Sequence, residues 1–248
     1  MNIIKTLTAI GLLGFASSAT ADLISNGDFE DDLGVTVGSG VANFSPAASG
    51  WFDKNGASGG DGDFIQWDLS NTNVPLDANG EVWGGISSNG SGVRGGFYQA
   101  IGTYVDDLDL TISFNVGDRS NLEFPQLQVH LYSGNVVGAD GSSLSGLGAT
   151  LLASSALITD SGLGFDGTDG STHTASVDPF ILNTGTSGTT GETLWFEITS
   201  PNALGGVHQA LIDDIVVIAV PEPSALALLL GVGFAFILVC KSRRRVGL

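Results

Sequence analysis

The sequence predicts an all-β protein, an antiparallel β-sandwich of the jelly-roll kind, carried between an N-terminal signal peptide and a single C-terminal transmembrane helix. Three observations lead there. Several stretches alternate apolar and polar residues with period two, Gly- and Ser-rich runs separate them, and nothing between the two ends sustains helical periodicity. The two ends differ sharply from this pattern.

Lys5 places a positive charge near the start, an apolar run follows from Leu7 to Phe15, and small residues end in Ala19-Thr20-Ala21. A charged region, a short apolar region and an Ala-x-Ala site in this order make a secretory signal peptide. Residues 1–21 are therefore expected to be removed, with cleavage between Ala21 and Asp22.

The body, residues 22–219, has the size of one sandwich domain. In Leu110–Val116, Leu127–Tyr132 and Leu194–Thr199 the apolar residues fall on one face, so each strand should pack one side on a core and turn the other outward. Asp63–Leu69, Gly96–Ile101, His173–Phe180 and Gln209–Ala219 are further strand candidates. Ser133–Gly148 and Asn183–Gly191 are turn-rich, and the low-complexity run Thr184–Thr190 reads as a mobile loop. Many short strands joined by such turns argue for a sandwich.

From Asp22 to Val220 the chain holds three Lys and Arg (Lys54, Arg94 and Arg119) against 25 Asp and Glu, a net charge of −22. That excludes nucleic-acid binding, which needs cations to neutralise phosphates. It suits a soluble secreted protein or one that binds divalent cations. The only cysteine, Cys240, lies in the tail, so one chain can build neither a disulfide framework nor a zinc cluster.

At the C-terminus, Val220-Pro221-Glu222-Pro223-Ser224 precedes an uncharged apolar stretch, residues 225–240, and a basic tail, residues 241–248, with Arg243, Arg244 and Arg245. Sixteen helical residues span about 24 Å, short for a hydrocarbon core of about 30 Å, but the stems of Lys241 and Arg243 can extend the reach. The positive-inside rule keeps the basic tail in the cytoplasm, with the body across the membrane. This end, residues 220–248, resembles the PEP-CTERM sorting domain of exopolysaccharide-producing Gram-negative bacteria, a segment also labelled an ice-binding-protein C-terminal domain. The resemblance implies export machinery and an exosortase as partners. It further implies an inner-membrane-anchored intermediate, and then a place at the cell surface or in the extracellular matrix.

A second resemblance runs through the body. Leu23-Ile24-Ser25-Asn26-Gly27-Asp28-Phe29-Glu30, Ser49-Gly50-Trp51, Phe97-Tyr98-Gln99-Ala100-Ile101 and Leu211-Ile212-Asp213-Asp214-Ile215-Val216-Val217 follow the order seen in jelly-roll carbohydrate-binding modules with a galactose-binding-like fold. That family often ties its first segment to its last strand with one structural Ca²⁺, and the matching positions are Asp28, Glu30 and Asp213. Asp213 and Asp214 are neighbours on a strand and should face opposite ways, so only one should reach the interior or the ion. Asp61-Gly62-Asp63 and Asp166–Gly170 lack the terminal Glu of an EF-hand and read as loops.

The polar faces of the three alternating strands carry Ser113 and Asn115, then Gln128, His130 and Tyr132, then Trp195 and Glu197. Rings that stack on sugar C–H faces beside groups that bind hydroxyls would make a glycan platform if these strands share a sheet, and Trp195, Glu197, His130, Tyr132 and Asn115 are its candidate residues, bordered by Arg119 and Trp83. The simpler alternative is that Trp195 packs beneath a loop. No catalytic site stands out. There is no Gly-x-Ser-x-Gly elbow, His130, His173 and His208 form no metal pair, and Gly90–Gly95 matches G-x-G-x-x-G ahead of a β pattern instead of a helix. The sequence is therefore read as a non-enzymatic surface or matrix protein associated with exopolysaccharide. Its alternatives are a carbohydrate-binding module with a defined site, or an adhesive matrix protein bridged by Ca²⁺.

Overall fold

In the computed structural model, the described residues are 21–29, 50–54, 64–67, 73, 75, 83–88, 95–165, 171–201 and 208–220. The signal peptide before Ala21, Glu30, Asp61–Asp63, Gly90–Arg94, Asp166–Gly170 and everything after Val220 lie outside them. Among the described residues no helix is long and apolar enough to cross a membrane.

The described residues of the body form two five-stranded antiparallel sheets. One holds, from edge to edge, β1 (Trp51–Asp53), β4 (Gly96–Thr103), β9 (Thr193–Thr199), β6 (Gln128–Ser133) and β7 (Thr150–Ser154). The other holds β2 (Phe64–Trp67), β3 (Trp83–Ser88), β10 (His208–Ala219), β5 (Asp109–Asp118) and β8 (Thr174–Asn183). Among the described residues one short helix, α1 (Asp160–Leu163), is capped by the Thr159 hydroxyl and closed by Gly164 at φ 77°, the left-handed conformation that glycine adopts without strain.

The period-two pattern becomes the core. On β5, Leu110, Ile112, Phe114 and Val116 point inward and meet Trp51, Phe97, Val129, Leu131, Phe196 and Ile198 of the facing sheet. Trp51 is fully buried, with Phe97 at a 4.9 Å centroid separation and 89° and Phe29 at 5.7 Å. Edge-to-face contacts of this kind add to the area buried.

The first described segment straps the two sheets together. Asp22 bridges to Ile218, and its Oδ1 accepts from the amides of Ile24 and Val217 at 3.0 Å. Further along, the Gln99 side chain clasps the Ser25 backbone at 2.8 and 3.0 Å, and the Trp51 indole donates to the Asn26 carbonyl at 3.0 Å. A Cβ on Gly27 would stand 2.2 Å from the Ile215 carbonyl oxygen, so that approach requires glycine.

Three strands escaped the sequence pattern. β1 has only three residues, β3 (Trp-Gly-Gly-Ile-Ser-Ser) is interrupted by glycine, and β7 lacks alternation. The Thr184–Thr190 run is also not the mobile loop its composition suggests. Thr184 is buried, donating to the Val105 carbonyl at 2.7 Å and accepting from the Leu108 amide at 2.9 Å. The Tyr104 hydroxyl donates to the Gly185 carbonyl at 2.8 Å and accepts from the Gly188 amide at 3.3 Å. Tyr104→Phe is expected to lower stability by about 1–2 kcal/mol, read from urea unfolding of the full chain; no change would mean the loop is held by its own backbone alone.

Candidate functional site

The outward face of the β1-β4-β9-β6-β7 sheet gathers most of the predicted platform. Strand register aligns Phe52, Tyr98, Glu197, His130 and Ser154 in one row across all five strands. Beside it runs a row of Ala100, Trp195, Tyr132 and Leu151. Gln128 and Thr199 pair in the row on the other side. Glu197, Trp195, His130 and Tyr132 thus share a face, as alternation on two neighbouring strands requires.

Asn115 does not join them. Its strand, β5, belongs to the other sheet, where its amide donates to Asp214 Oδ2 at 2.8 Å and its carbonyl accepts from Ser176 at 2.7 Å. Arg119 and Trp83 are on that sheet's side too, both buried, with Arg119 donating to Gln209 at 2.7 Å and Trp83 packed on Leu211. Period-two alternation shows which residues of a strand share a face, not which sheet the strand enters.

The face itself divides in two. Over one half the loop from Gly134 to Ala149 folds down and seals a small second core of Tyr98, Tyr132, Leu144, Ala149 and Trp195. The Trp195 indole donates to the Gly134 carbonyl at 2.9 Å, and the Tyr98 hydroxyl both donates to and accepts from the Ala139 backbone at 2.9 and 3.0 Å. A Cβ on Gly138 would lie 2.4 Å from the Phe52 ring, so the loop needs glycine where it crosses that ring. Trp195 is 4% exposed and offers no free ring face to a sugar in this conformation; the simpler expectation, packing beneath a loop, describes it.

The other half is polar and open. Glu197 is fully buried, and Lys54, the residue after β1, reaches it across β4. The Lys54 ammonium stands 2.8 Å from Glu197 Oε1 and donates to the Thr199 hydroxyl at 3.0 Å. Gly96 on the intervening strand has no room for a side chain, since a Cβ there would meet the Thr199 hydroxyl and the Ile198 carbonyl at 2.8 Å. The lysine is the charge that compensates this buried carboxylate, and the Tyr132 phenol interacts with it too. Burial, and after it the Glu197 charge, push the Tyr132 phenol pKa up. Burial likewise lowers the His130 pKa, Glu197 opposing and Lys54 adding to the effect. The His130 Nδ1 contacts the exposed Ser154 hydroxyl at 2.7 Å, and the Gln128 amide donates to the Ser155 carbonyl at 2.8 Å. What this half presents outward is therefore Lys54, His130, Gln128 and Ser154, with Glu197 beneath them. Lys54 is the residue that sequence reasoning missed; its isolation as one of three body cations was the available signal.

The calcium set is only partly within view. Asp28 is exposed, while Glu30 lies outside the described residues. Asp213 is buried, and its Oδ1 accepts from the Asp214 amide at 2.8 Å. A bulge between Asp213 and Val216, with Asp214 at φ 51°, breaks the expected alternation. It is Asp214, not Asp213, that lines a cavity of about 340 Å³ together with Asp22, Asn26 and Asp28. Among the described residues no three His, Cys, Asp or Glu side chains cluster as metal ligands, and Glu30, the third expected ligand, lies outside those residues. Of the expected processing residues, Ala21 and Asp22 are described, and Val220 donates its amide to the Asp109 carbonyl at 2.9 Å. Pro221, Glu222, Pro223, Ser224, Arg243, Arg244 and Arg245 lie outside the described residues.

No protein-family model matches this sequence, and no curated protein does. Among solved structures, the chain is similar to the Stig cyclase FisC from Fischerella sp. TAU, solved in complex with (3Z)-3-(1-methyl-2-pyrrolidinylidene)-3H-indole. Identity is 16%, coverage is 83% of this chain and 100% of that one, and the TM-score is 0.54. TmCBM61 in complex with β-1,4-galactotriose matches 81% of this chain and 100% of its own at 11% identity and TM-score 0.39. The K2 cleaved adhesin domain of Lys-gingipain matches 79% and 96% at 12% identity and TM-score 0.43. The first likeness shows a shared fold, and at such identity it shows the fold alone.

Two outcomes follow from the buried pair. Lys54→Met leaves Glu197 charged without its partner and should cost about 3–5 kcal/mol, whereas Lys54→Met with Glu197→Met should recover much of that loss. Denaturant unfolding of the two variants decides it; equal loss in both would deny the coupling. His130 takes a proton less readily folded than unfolded, so its contribution to stability is intact above the ordinary histidine pKa of about 6.5 and is lost as pH falls below it. The melting temperature should drop on acidification through that value, and His130→Asn should flatten the drop.

Proposed function

We propose that this chain is an exported, non-enzymatic protein that binds polysaccharide through the open half of the β1-β4-β9-β6-β7 face. The observation that carries this reading is the polar row itself. A buried Glu197 fixes Lys54 in place beside His130, Gln128 and Ser154 on a sheet face that the neighbouring loop leaves uncovered. Fixed polar groups of both kinds, donor and acceptor, are what hydroxyl recognition requires, and the rigidity of strands lowers the cost of ordering them on binding. Export through the signal peptide and sorting by an exosortase through residues 220–248 would bring the face to the exopolysaccharide outside the cell, where such a polymer is met.

A glycan array probed with the full chain tests the reading. Discrete hits are expected, with His130→Ala and Ser154→Ala weakening them by about tenfold, roughly 1.4 kcal/mol. Asp178→Asn, an exposed change on the opposite sheet, should leave them untouched. An array without hits, or hits indifferent to His130 and Ser154, would remove the site. Release of sugars from bound polymer would replace the non-enzymatic reading with a hydrolase.

A further inference from the structure

We infer that the polymer this face accepts is uncharged, and that uronate-, sulfate- or phosphate-bearing chains are excluded from it. The inference rests on the polysaccharide-binding reading and concerns the same site. The strongest recognition of an anionic sugar comes from a cation with unspent charge. The body has three Lys and Arg residues in all, Lys54, Arg94 and Arg119. Among the described residues Lys54 is the cation within the site, and its ammonium is held 2.8 Å from Glu197 and 3.0 Å from the Thr199 hydroxyl. An anion arriving at Lys54 would meet the buried Glu197 carboxylate behind it, a like charge inside a partly dry face where screening is weak. Arg119 is 7% exposed and sits with Gln209 on the other sheet, and Arg94 lies outside the described residues.

Hydrogen-bond chemistry suits hydroxyl groups. Ser154 offers a hydroxyl, Gln128 a carbonyl oxygen, and His130, whose burial favours the neutral ring, one N–H and one bare nitrogen, with its Nδ1 against the Ser154 hydroxyl. The set therefore both donates and accepts. A sugar hydroxyl can use both kinds of partner, while a carboxylate, sulfate or phosphate oxygen only accepts and leaves the acceptors among them unsatisfied. Beyond the site, the net charge of −22 from Asp22 to Val220 repels any polyanion out to about 8 Å at physiological ionic strength.

The test compares native acidic polymers, polygalacturonate and alginate, with the same polymers after carboxyl reduction, alongside neutral galactan and glucan. Full chain in detergent micelles is titrated with each, in chelator throughout so that no divalent cation can bridge two anions. A neutral or reduced polymer should bind at least about tenfold more tightly than its acidic parent and with little dependence on salt. Glu197→Gln, which frees the Lys54 charge, should narrow that gap and make the remaining acidic binding fall as salt rises. Native acidic polymer bound as well as its reduced form would overturn this inference while leaving polysaccharide binding intact. Failure of every polymer, neutral and acidic alike, would take down the binding reading and the inference with it.

Discussion

Trp51 is the contact on which the arrangement turns. Its ring is buried among Phe29, Phe97 and Phe196, and its indole N–H holds the Asn26 carbonyl of the strap that crosses to β10. One side chain thus joins the strap, β1, β4 and β9. A body without cysteine has no covalent clasp between its sheets, so apolar contact of this kind must hold them. The consequence reaches the opposite face of the same strand. With Trp51 inward, alternation sends Phe52 outward, Asp53 inward and Lys54 outward, and Lys54 arrives over Gly96 within reach of Glu197.

The outward face then sorts itself by what can be satisfied. The aromatic half carries rings with polar tips, Tyr98 and Trp195, and the Gly134–Ala149 loop supplies backbone partners to those tips while covering the rings. The other half contains a buried carboxylate, and a lysine from beside the edge strand neutralises it. Burial of an ion pair contributes little net stability compared with an apolar pair of similar volume. Its presence here is better explained by the fixed, polar surface it creates than by stability.

Much of this was legible in the residues. Alternation in Leu127–Tyr132 and Leu194–Thr199 puts His130 with Tyr132, and Trp195 with Glu197, on one face of each strand, and the pairing of the two strands in one sheet joins the faces. The membership of Asn115 in that face did not follow, since alternation is the same whichever sheet a strand joins. The burial of Trp195 was equally hidden, because a loop that is Gly- and Ser-rich in sequence gives little sign that it will fold onto a sheet. Asp213 and Asp214 illustrate a third limit. The rule that adjacent strand residues face opposite ways holds only in a regular ladder, and the bulge that places Asp214 at φ 51° changes which carboxylate lines the cavity beside Asp28.

By itself, the sequence determined the class of the body, its acidic character, the absence of internal disulfides and most of the long strands. Those properties are local or compositional, set by period, charge and residue type within a few positions. Only the tertiary structure decided that Lys54 and Glu197, 143 positions apart by their numbering, form one ion pair, that Asn115 looks the other way, and that half of the platform is roofed. The physical reason is common to all three. Each depends on which strands become neighbours, and strand neighbours are chosen by the burial of the whole core, a sum over both sheets that no single stretch of sequence contains.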